Sequence, residues 1–439
     1  MEVYVDSFLA NSINHTEAIN SAIEFCSKNG GGKVIFSSKK EYRSGTIFLA
    51  DNIELYFEED AILKASDDVN DFDVFQNNKI EKLKAPTWEN CEYDGIPTKY
   101  FIFGVNKKNV SITGNGIIDG NEEIFYGKSS NYHIDGYFYP RVPLIYLIGC
   151  KNIKIENVTL RKSAFWTVHL VGSKNIVIDR IKIYNNLILA NSDGIDPDHC
   201  KNLVIKNCYI ESADDCIVFK ATKANKHFGG CKDIEVFNCT LRSTSAAIKF
   251  GTESVSDFRS IYVHDCKIIN SNRGISFQLR DSGNIRNILF KNISIETKST
   301  SPLEWWGKAE PISITAVKRN EAINIGKIKN VVFEDINCDS ENGIFIYGDE
   351  SFNISNIKFS NVFVSIKAKT NWPRGKHDLR PSYEYTLLET PLSVIYSKNA
   401  SDIILEGFNY ELDDVTKDEC LEAFSFNNTI NVVSRWYFG

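Results

Sequence analysis

The chain has 439 residues, of which 43% are hydrophobic and 24% are charged, and its formal net charge is -7. This composition is typical of a soluble globular protein that buries a large core. The negative charge, with no long basic run to offset it, argues against nucleic acid or an anionic membrane as a partner. No stretch approaches the roughly 18 apolar residues that a membrane span needs.

The compartment is not decided by the sequence. The first ten residues contain neither a basic leader nor a long apolar segment, so we expect either a cytoplasmic protein or a secreted or periplasmic one whose signal peptide has been removed. There are eleven cysteines, and no C-x-x-C pair occurs. This favours buried thiols over disulfides or a metal site. Six cysteines occupy strand-like positions in successive repeats: Cys200, Cys208, Cys216, Cys231, Cys239 and Cys266.

One amphipathic helix is predicted near the N-terminus, over residues 14–30. Apolar residues recur there at helical spacing, Thr16 is the expected N-cap, and a run of three glycines ends the pattern. Such a helix could cover the open end of an elongated sheet structure and hide a strand edge. Short alternating strands follow, at Lys33–Phe36, Ile53–Phe57 and Ala61–Leu63.

From residue 109 onwards one sequence pattern repeats, in which an Asn or a similar residue precedes an alternating apolar strand. Successive copies begin 23 to 31 residues apart between 152 and 287, which is the period of a solenoid. The copies begin at Asn109, Asn152, Asn175, Asn202, Asp233, Ser260, Asn287, Asn330 and Asn353.

Each repeat holds two or three short strands and no long helix, which excludes leucine-rich and helical repeats. We therefore expect an all-β fold, a right-handed parallel β-helix in which coils stack at about 4.8 Å. The turn asparagines should form a ladder, each amide bonding to backbone groups of the next coil. We predict a single domain over residues 1–439, with the cap and first coils in 1–60 and an irregular closing segment in 367–439.

Two acidic clusters flank the strand in residues 191–216, which read N-S-D-G-I-D-P-D-H-C and later E-S-A-D-D-C. Asp193 and Asp214 are about one coil apart, so they should lie on neighbouring coils of one face. Asp215 would point into the core of a flat strand, at a high cost for a charge, so we expect a bend or bulge at residues 213–216 that turns both Asp214 and Asp215 outward. Carboxylates facing one groove suit the acid and base of glycosidic cleavage. Turn aspartates, or a calcium site of Asp193, Asp196 and Asp198, are the alternatives.

The motif N-S-D-G-I-D, followed 21 residues later by D-D-C-I, resembles the signature of glycoside hydrolase family 28, the polygalacturonases. The N-terminal helix, residues 115–120 and residues 163–169 also resemble landmarks of that family. The resemblance implies a parallel β-helix of the pectin lyase type and hydrolysis with inversion. Position by position, Asp214 resembles the general acid, and Asp193 with Asp215 resembles the pair that activates water. The resemblance implies neither a cofactor nor a metal ion.

Two further motifs of the family are altered here. Ala246 stands where the family has His, and Gln278 lies in the segment that aligns with the family's Arg and Lys. Because Gln cannot replace a cation that holds a uronate carboxylate, other cations must act or the substrate must differ. The candidate cations are Lys249, Arg280, Lys220 and His227. For Arg280 the alternative is an ion pair with Asp281, and for Lys249 it is a solvated strand position.

Interruptions of the repeat are expected to form loops on the binding face. Trp305 and Trp306 lie in one of them and could stack on sugar rings; packing within the loop is the alternative. Glu253 is a further candidate for substrate contact, against an ordinary turn acid. His169 is either a groove residue or a buried histidine.

The sequence therefore predicts an inverting glycoside hydrolase that acts on a pectic or related plant polysaccharide or its oligosaccharides. An exo-acting galacturonidase and a rhamnogalacturonan hydrolase both fit. If the aromatic loop at 121–143 and the tryptophan loop wall off one end of the groove, the action is exo. A non-catalytic carbohydrate-binding β-helix and a polysaccharide lyase stay open as alternatives. The expected partner is carbohydrate, with no nucleic acid and no membrane; the oligomeric state is open.

Overall fold

The structure is a computed structural model that describes residues 1–72, 99–134, 142–302, 307–384 and 386–435. Contacts divide the described chain into two compact units, the first ending at Asp214 and the second beginning at Asp215. Each unit is described by itself, and the single domain expected above stays a prediction. In each unit short strands pair in parallel with the strands of the neighbouring coil, so each is a parallel β-helix. The predicted fold class is confirmed.

The predicted N-terminal helix is present and spans His15–Lys28. Its N-cap is Asn14 and not the predicted Thr16, because the Asn14 side chain accepts from Glu17 N at 3.0 Å. Glu17 in turn accepts from Ile13 N at 2.6 Å, which makes a reciprocal cap. Short helices lie at Asp6–Leu9 and Asp414–Glu419, with 3-10 turns at Val69–Asp71, Glu122–Phe125 and Lys223–Phe228. Across the part of the chain that is described, no helix is long and apolar enough to cross a membrane.

The first unit has a broad sheet and a narrow sheet, and parallel partners follow one another by one coil. Its broad-sheet strands are Glu2–Tyr4, Gly32–Phe36, Glu41–Ser44, Ile53–Phe57, Ile62–Ala65, Lys108–Gly114, Ile117–Asp119, Lys151–Glu156, Thr159–Arg161, Lys174–Asp179, Lys182–Tyr184, Lys201–Lys206 and Tyr209–Ser212. Its narrow-sheet strands are Ile47–Phe48, Ile102–Val105, Ile145–Ile148, Val168–Val171 and Ile195–Asp198.

The second unit repeats this arrangement with longer broad strands. Those broad-sheet strands are Cys231–Phe237, Thr240–Ser243, Phe258–Ser271, Ile285–Thr297, Ile328–Ser340, Ile354–Ile366, Ala400–Glu406, Asn409–Leu412 and Val433–Arg435. Its narrow-sheet strands are Ile217–Ala221, Ala246–Ser254, Arg273–Leu279, Ile312–Ala316, Ile344–Gly348, Ile395–Lys398 and Phe424–Asn427. A separate antiparallel hairpin joins Lys376–Asp378 to Leu387–Glu389.

The closing segment is more regular than predicted. Ile344 lies in register with Ile395, and Ile395 in turn with Phe424, so coils continue past residue 367. Within each unit the broad-sheet strands bury side chains by alternation and so build its core. In the second unit Phe290, Phe333 and Phe359 stack in successive coils, with 5.1 Å between neighbouring ring centroids.

An asparagine ladder runs along one turn of each unit, as predicted, but its bonds differ from the prediction. In the described part of the chain, six ladder amides donate to the side-chain oxygen of the previous asparagine rather than to the predicted backbone groups, those of Asn109, Asn152, Asn175, Asn202, Asn330 and Asn356. In the first unit Asn175 Nδ2 donates to Asn152 Oδ1 at 2.9 Å, and Asn202 Nδ2 donates to Asn175 Oδ1 at 2.9 Å. In the last repeat Asn356 takes the ladder position that was assigned to Asn353. The ladder residues have positive φ, which asparagine tolerates better than most residues.

Asn175→Ala is expected to lower the free energy of unfolding by about 2 kcal/mol, because it removes two ladder hydrogen bonds and places alanine at a φ of 56°. Asn175→Gly is the matched control, since glycine adopts this φ without strain but also lacks the amide. Urea unfolding of both variants separates the two contributions. Equal stability of the alanine variant and the parent protein would contradict a stabilising ladder.

The six repeat cysteines are buried thiols, as predicted. Their sulfur atoms contact backbone carbonyls of the same or a neighbouring coil. For example, Cys266 Sγ lies 3.1 Å from His264 O, and Cys208 Sγ lies 3.1 Å from Lys206 O. They act as small core residues of the β-helix.

Candidate active site

Asp193 and Asp214 come together in the first unit. Asp193 precedes the narrow strand Ile195–Asp198, and Asp214 follows the broad strand Tyr209–Ser212. One carboxylate oxygen of Asp193 lies within 4.8 Å of one of Asp214. Both side chains are nearly buried, with exposed fractions of 1% and 6%. The spacing of about one coil thus places these carboxylates side by side, as predicted.

Asn191 orients the Asp214 carboxylate. Its backbone N–H donates to Asp214 Oδ2 at 3.2 Å, and its Nδ2 lies 3.5 Å from the same oxygen. Asn191 has a φ of 56°, a left-handed conformation that aims both nitrogens at one point. This residue opens the N-S-D-G-I-D motif, whose pattern gives no sign of this role.

The predicted bend at residues 213–216 is present, since these residues lie in bends between the strands Tyr209–Ser212 and Ile217–Ala221. Asp214 and Asp215 are therefore not held in the alternation of a flat strand. Asp215, the first residue of the second unit, is fully buried. Its charge does not lie in an apolar core, because polar groups of the next coil surround it.

Three donors of the second unit hold the Asp215 carboxylate. Lys249 Nζ donates to Oδ2 at 2.8 Å, while Ser245 Oγ and Ala246 N donate to Oδ1 at 3.1 and 3.2 Å. Lys249 was expected to bind substrate or to face solvent, but it is only 8% exposed and forms an ion pair with Asp215. A short charge-assisted bond of this kind fixes the carboxylate firmly.

Glu253 and Lys220 also face each other in the second unit. Lys220 Nζ lies 3.5 Å from Glu253 Oε2, and Thr252 Oγ1 lies 3.3 Å from Glu253 Oε1. Glu253 is 8% exposed and Lys220 is 4% exposed, so neither is an ordinary solvated turn residue. The charge of Lys220, like that of Lys249, is matched by a carboxylate of this chain.

Arg280 lies in the interior, and the ion pair with Asp281 suggested by the sequence is wrong. Arg319 binds Asp281 instead, with Nε 3.0 Å from Oδ1. Arg280 donates to Leu279 O, Thr315 Oγ1 and Leu379 O, each at 3.0 Å. Burial, together with the charge of Arg319, lowers the pKa of Arg280 to about 9. A guanidinium without solvent contact does not reach a substrate in this structure.

Gln278 lies on the narrow strand Arg273–Leu279 and is 2% exposed. It is in register with Gly251 on one side and with Thr315 on the other. Its Oε1 is buried and has no hydrogen-bond partner among the described residues. The segment where the family carries cations therefore holds an uncharged, buried amide here.

His169 is a buried histidine of the first unit, the second of the two alternatives. Its ring stacks on Tyr146 at 4.9 Å and meets Trp166 edge-on at 4.8 Å. Its Nε2 lies 3.3 Å from Asp198 Oδ2, and Asp198 also faces His199, with Oδ1 3.5 Å from Nε2. The carboxylate of Asp198 is thus engaged by imidazoles, which does not favour the calcium alternative.

Trp305 and Trp306 lie outside the described residues, as do residues 135–141 of the aromatic loop. His227, a candidate cation whose alternative is a solvated loop histidine, is exposed on the 3-10 turn Lys223–Phe228 and packs against its neighbour Phe228 with ring centroids 4.1 Å apart. Ser245 contributes to the site but was not predicted to do so. The sequence signal that could have identified it is its position at the start of the narrow strand one coil after Asp215.

The sequence profile described as Glycosyl hydrolases family 28 matches residues 76–374, well over half of the chain. The chain belongs to glycosyl hydrolases family 28. This confirms the family that the motifs resembled. All the candidate catalytic residues lie inside the matched region.

Curated relatives of this family-28 chain include a probable polygalacturonase of Vitis vinifera, 31% identical over 294 residues. The match covers 64% of this chain and 58% of the relative. An exopolygalacturonase X-1 of Emericella nidulans is 32% identical over 206 residues, 46% of this chain and 43% of the relative. The chain thus spans less than two thirds of the length of these relatives.

Solved structures show the same fold at low identity. The family 28 exopolygalacturonase of Yersinia enterocolitica has a TM-score of 0.73 at 17% identity and covers 99% of this chain and 79% of its own. The polygalacturonase of Erwinia carotovora has a TM-score of 0.64 at 20% identity, covering 83% and 94%. These similarities establish the parallel β-helix fold. The function has to be inferred from the residues of the site.

Proposed function

We propose that this family-28 chain is an inverting glycoside hydrolase that cleaves a pectic polysaccharide or its oligosaccharides. The observation that carries the proposal is the pair Asp193 and Asp214, whose oxygens lie within 4.8 Å on motifs typical of the family. Glycosidic hydrolysis needs one carboxyl group that gives a proton and another that handles water.

In the proposed mechanism Asp214 protonates the leaving glycosidic oxygen. Asp193 and Asp215 orient a water molecule, and one of them takes its proton as the water attacks the anomeric carbon. The N–H groups of Asn191 fix the direction of the Asp214 carboxyl. The bonds from Lys249 and Ser245 hold the Asp215 carboxylate in place, so this group needs little reorganisation during the reaction.

The stereochemical outcome is the sharpest test of this mechanism. Inverting pairs generally lie about 6.5–9.5 Å apart and retaining pairs about 5–5.5 Å apart. The family resemblance predicts inversion. The first anomer released therefore distinguishes a water attack from a covalent intermediate.

The substrate is proposed to differ from plain polygalacturonate. Lys249 and Lys220 lie against Asp215 and Glu253, and Arg280 is interior, so none of these cations takes over the uronate contact of the missing family residues. Gln278, in the segment aligned with those residues, is uncharged and buried. The lack of a cation for a uronate carboxylate favours rhamnogalacturonan or another mixed pectic chain as substrate.

Proton NMR of wild-type protein acting on homogalacturonan, rhamnogalacturonan and their oligosaccharides tests the proposal. We expect hydrolysis with inverted configuration, and preferential cleavage of the mixed chain. An unsaturated product would indicate a lyase, and binding without turnover would indicate a carbohydrate-binding protein. Retention of configuration would overturn the roles assigned to Asp193 and Asp215.

A further inference from the structure

The segment that carries the candidate catalytic residues of the first unit lies outside the regular strands. Residues 186–193, which we name the catalytic segment, connect a broad strand to the next narrow strand mainly through turns. The segment contains Asp193, and it contains Asn191, whose backbone N–H donates to Asp214. Leu189 forms an isolated β-bridge. Because a regular ladder of strand bonds does not hold this segment, its shape depends on bonds from the groups around it.

A chain of three side chains supports the start of the catalytic segment. Asn186 Nδ2 donates to Tyr126 Oη at 2.8 Å, and Tyr126 Oη donates to Glu122 Oε1 at 2.8 Å. Asn186 Oδ1 in turn accepts from Ile188 N at 3.0 Å. Each member of the chain donates to the next, so the carboxyl group of Glu122 is the terminal acceptor. The amide that shapes the segment is thus anchored, through one tyrosine, on one glutamate.

Backbone bonds fix the middle and the end of the catalytic segment. Ile134, further along the loop that supplies the glutamate, donates to Ile188 O at 2.7 Å and accepts from Ala190 N at 3.1 Å. At the end of the segment, Thr167 N and Oγ1 donate to Asp193 O at 2.9 and 2.7 Å. With these contacts in place, the side-chain chain at its start completes the support of the segment.

Glu122 is an unfavourable residue for its position if its role is only to stabilise the fold. It is 3% exposed, and its Oε2 is buried without a hydrogen-bond partner among the described residues. Burial raises the pKa of this carboxyl, and the donors Tyr126 and Asn186 offset the rise only in part. Lys162 bonds to the neighbouring Glu123 instead, at 2.9 Å. A buried carboxyl with one unsatisfied oxygen lowers stability, which points to a use in the function of the protein.

We propose that Glu122 is a positioning residue of the hydrolase, which sets the geometry of Asn191 and Asp193 through Tyr126 and Asn186. The inference rests on the proposed glycosidase function and adds a residue outside both acidic motifs. Glu122 transfers no proton to the substrate in this proposal and acts through its hydrogen bond alone. Such a bond has a large effect because a displacement of about 1 Å at a catalytic group lowers a rate by about 100-fold.

Glu122→Leu is the primary test. Leucine has a similar size but accepts no hydrogen bond, so Tyr126 loses its partner. We expect kcat on the cleaved pectic substrate to fall about 10- to 100-fold with KM nearly unchanged, because the catalytic groups are displaced. Glu122→Gln keeps an acceptor at the same place and should restore most of the rate. Glu123→Leu, the same change at the exposed neighbour, is the control and should keep the wild-type kcat.

Tyr126→Phe and the double variant Glu122→Leu/Tyr126→Phe test whether the effect passes through the tyrosine hydroxyl. Tyr126→Phe should reproduce the loss in kcat of Glu122→Leu. The double variant should lose no more than either single variant, because both break the same chain. Urea unfolding of each variant sets a temperature at which all are folded, and the rates are compared there.

Three results would overturn the inference. They are a wild-type kcat in Glu122→Leu, an equal loss in Glu122→Gln and Glu122→Leu, and a double variant whose loss is the product of the two single losses. A wild-type protein that hydrolyses no pectic substrate would instead refute the proposed function, on which the inference depends.

Discussion

Asp214→Asn is expected to lower kcat by about 100- to 10,000-fold, the usual contribution of general acid-base catalysis. Asparagine keeps the size of the side chain and can still accept from the N–H groups of Asn191, so folding should be preserved. It cannot protonate the leaving oxygen. Initial rates on the cleaved pectic substrate measure the effect, and substrate binding should persist.

Asp335→Asn is the matched control for this substitution. Asp335 is an exposed residue with a φ of 56°, and its Oδ1 accepts from Asn361 at 2.7 Å. Asparagine suits this position, so the rate should not change. If Asp214→Asn retains more than about a tenth of the wild-type rate, Asp214 is not the general acid.

Lys249→Met is expected to reduce the free energy of unfolding by about 3–5 kcal/mol, the usual cost of removing one partner from a buried ion pair. Methionine replaces the apolar stem but leaves Asp215 without its cation. Activity should fall strongly as well, because the carboxylate loses the bond that fixes Oδ2. Urea unfolding gives the stability, and the rate is measured at a temperature where the variant is folded.

The double variant Lys249→Met/Asp215→Asn separates stability from catalysis. The asparagine introduced by the second substitution carries no charge and can still accept from Ser245 and Ala246, so much of the stability should return while activity does not. Lys291→Met is the control, since its pair with Glu334 is exposed and should contribute no more than about 1 kcal/mol. An equal loss of stability in Lys249→Met and Lys291→Met would show that the buried Lys249–Asp215 pair contributes no more to the free energy of unfolding than the exposed Lys291–Glu334 pair.

The fold was accessible to sequence reasoning because its signals are local. Alternation along Ile53–Phe57 predicts a strand with the bounds that the structure has, and the recurring turn asparagine predicts coils. Details that depend on competing neighbours were missed. Asn14 caps the helix because its side chain reaches Glu17 N, whereas Thr16 is engaged by Gly45 N.

The candidate site likewise has features that follow from local sequence and features that depend on distant neighbours. The spacing of Asp193 and Asp214 is about a whole coil, so their proximity follows from the repeat. The partner of Asp215 does not, since Lys249 lies 34 residues away on a strand whose altered motif favoured substrate binding. Arg280 and Arg319 differ in sequence only by position, and packing decides which of them binds Asp281.

Spacing along the chain is enough to predict the repeat and the parallel β-helix, while the resemblance of the two acidic motifs to a known signature adds the family and the three candidate catalytic aspartates. Which charges neutralise one another, and what covers the sheet, depends on the folded arrangement of distant segments. Glu310 and His377 meet across 67 residues, and no periodicity links them. Their contact depends on where the hairpin Lys376–Asp378/Leu387–Glu389 packs, which is set by shape and burial in the folded chain.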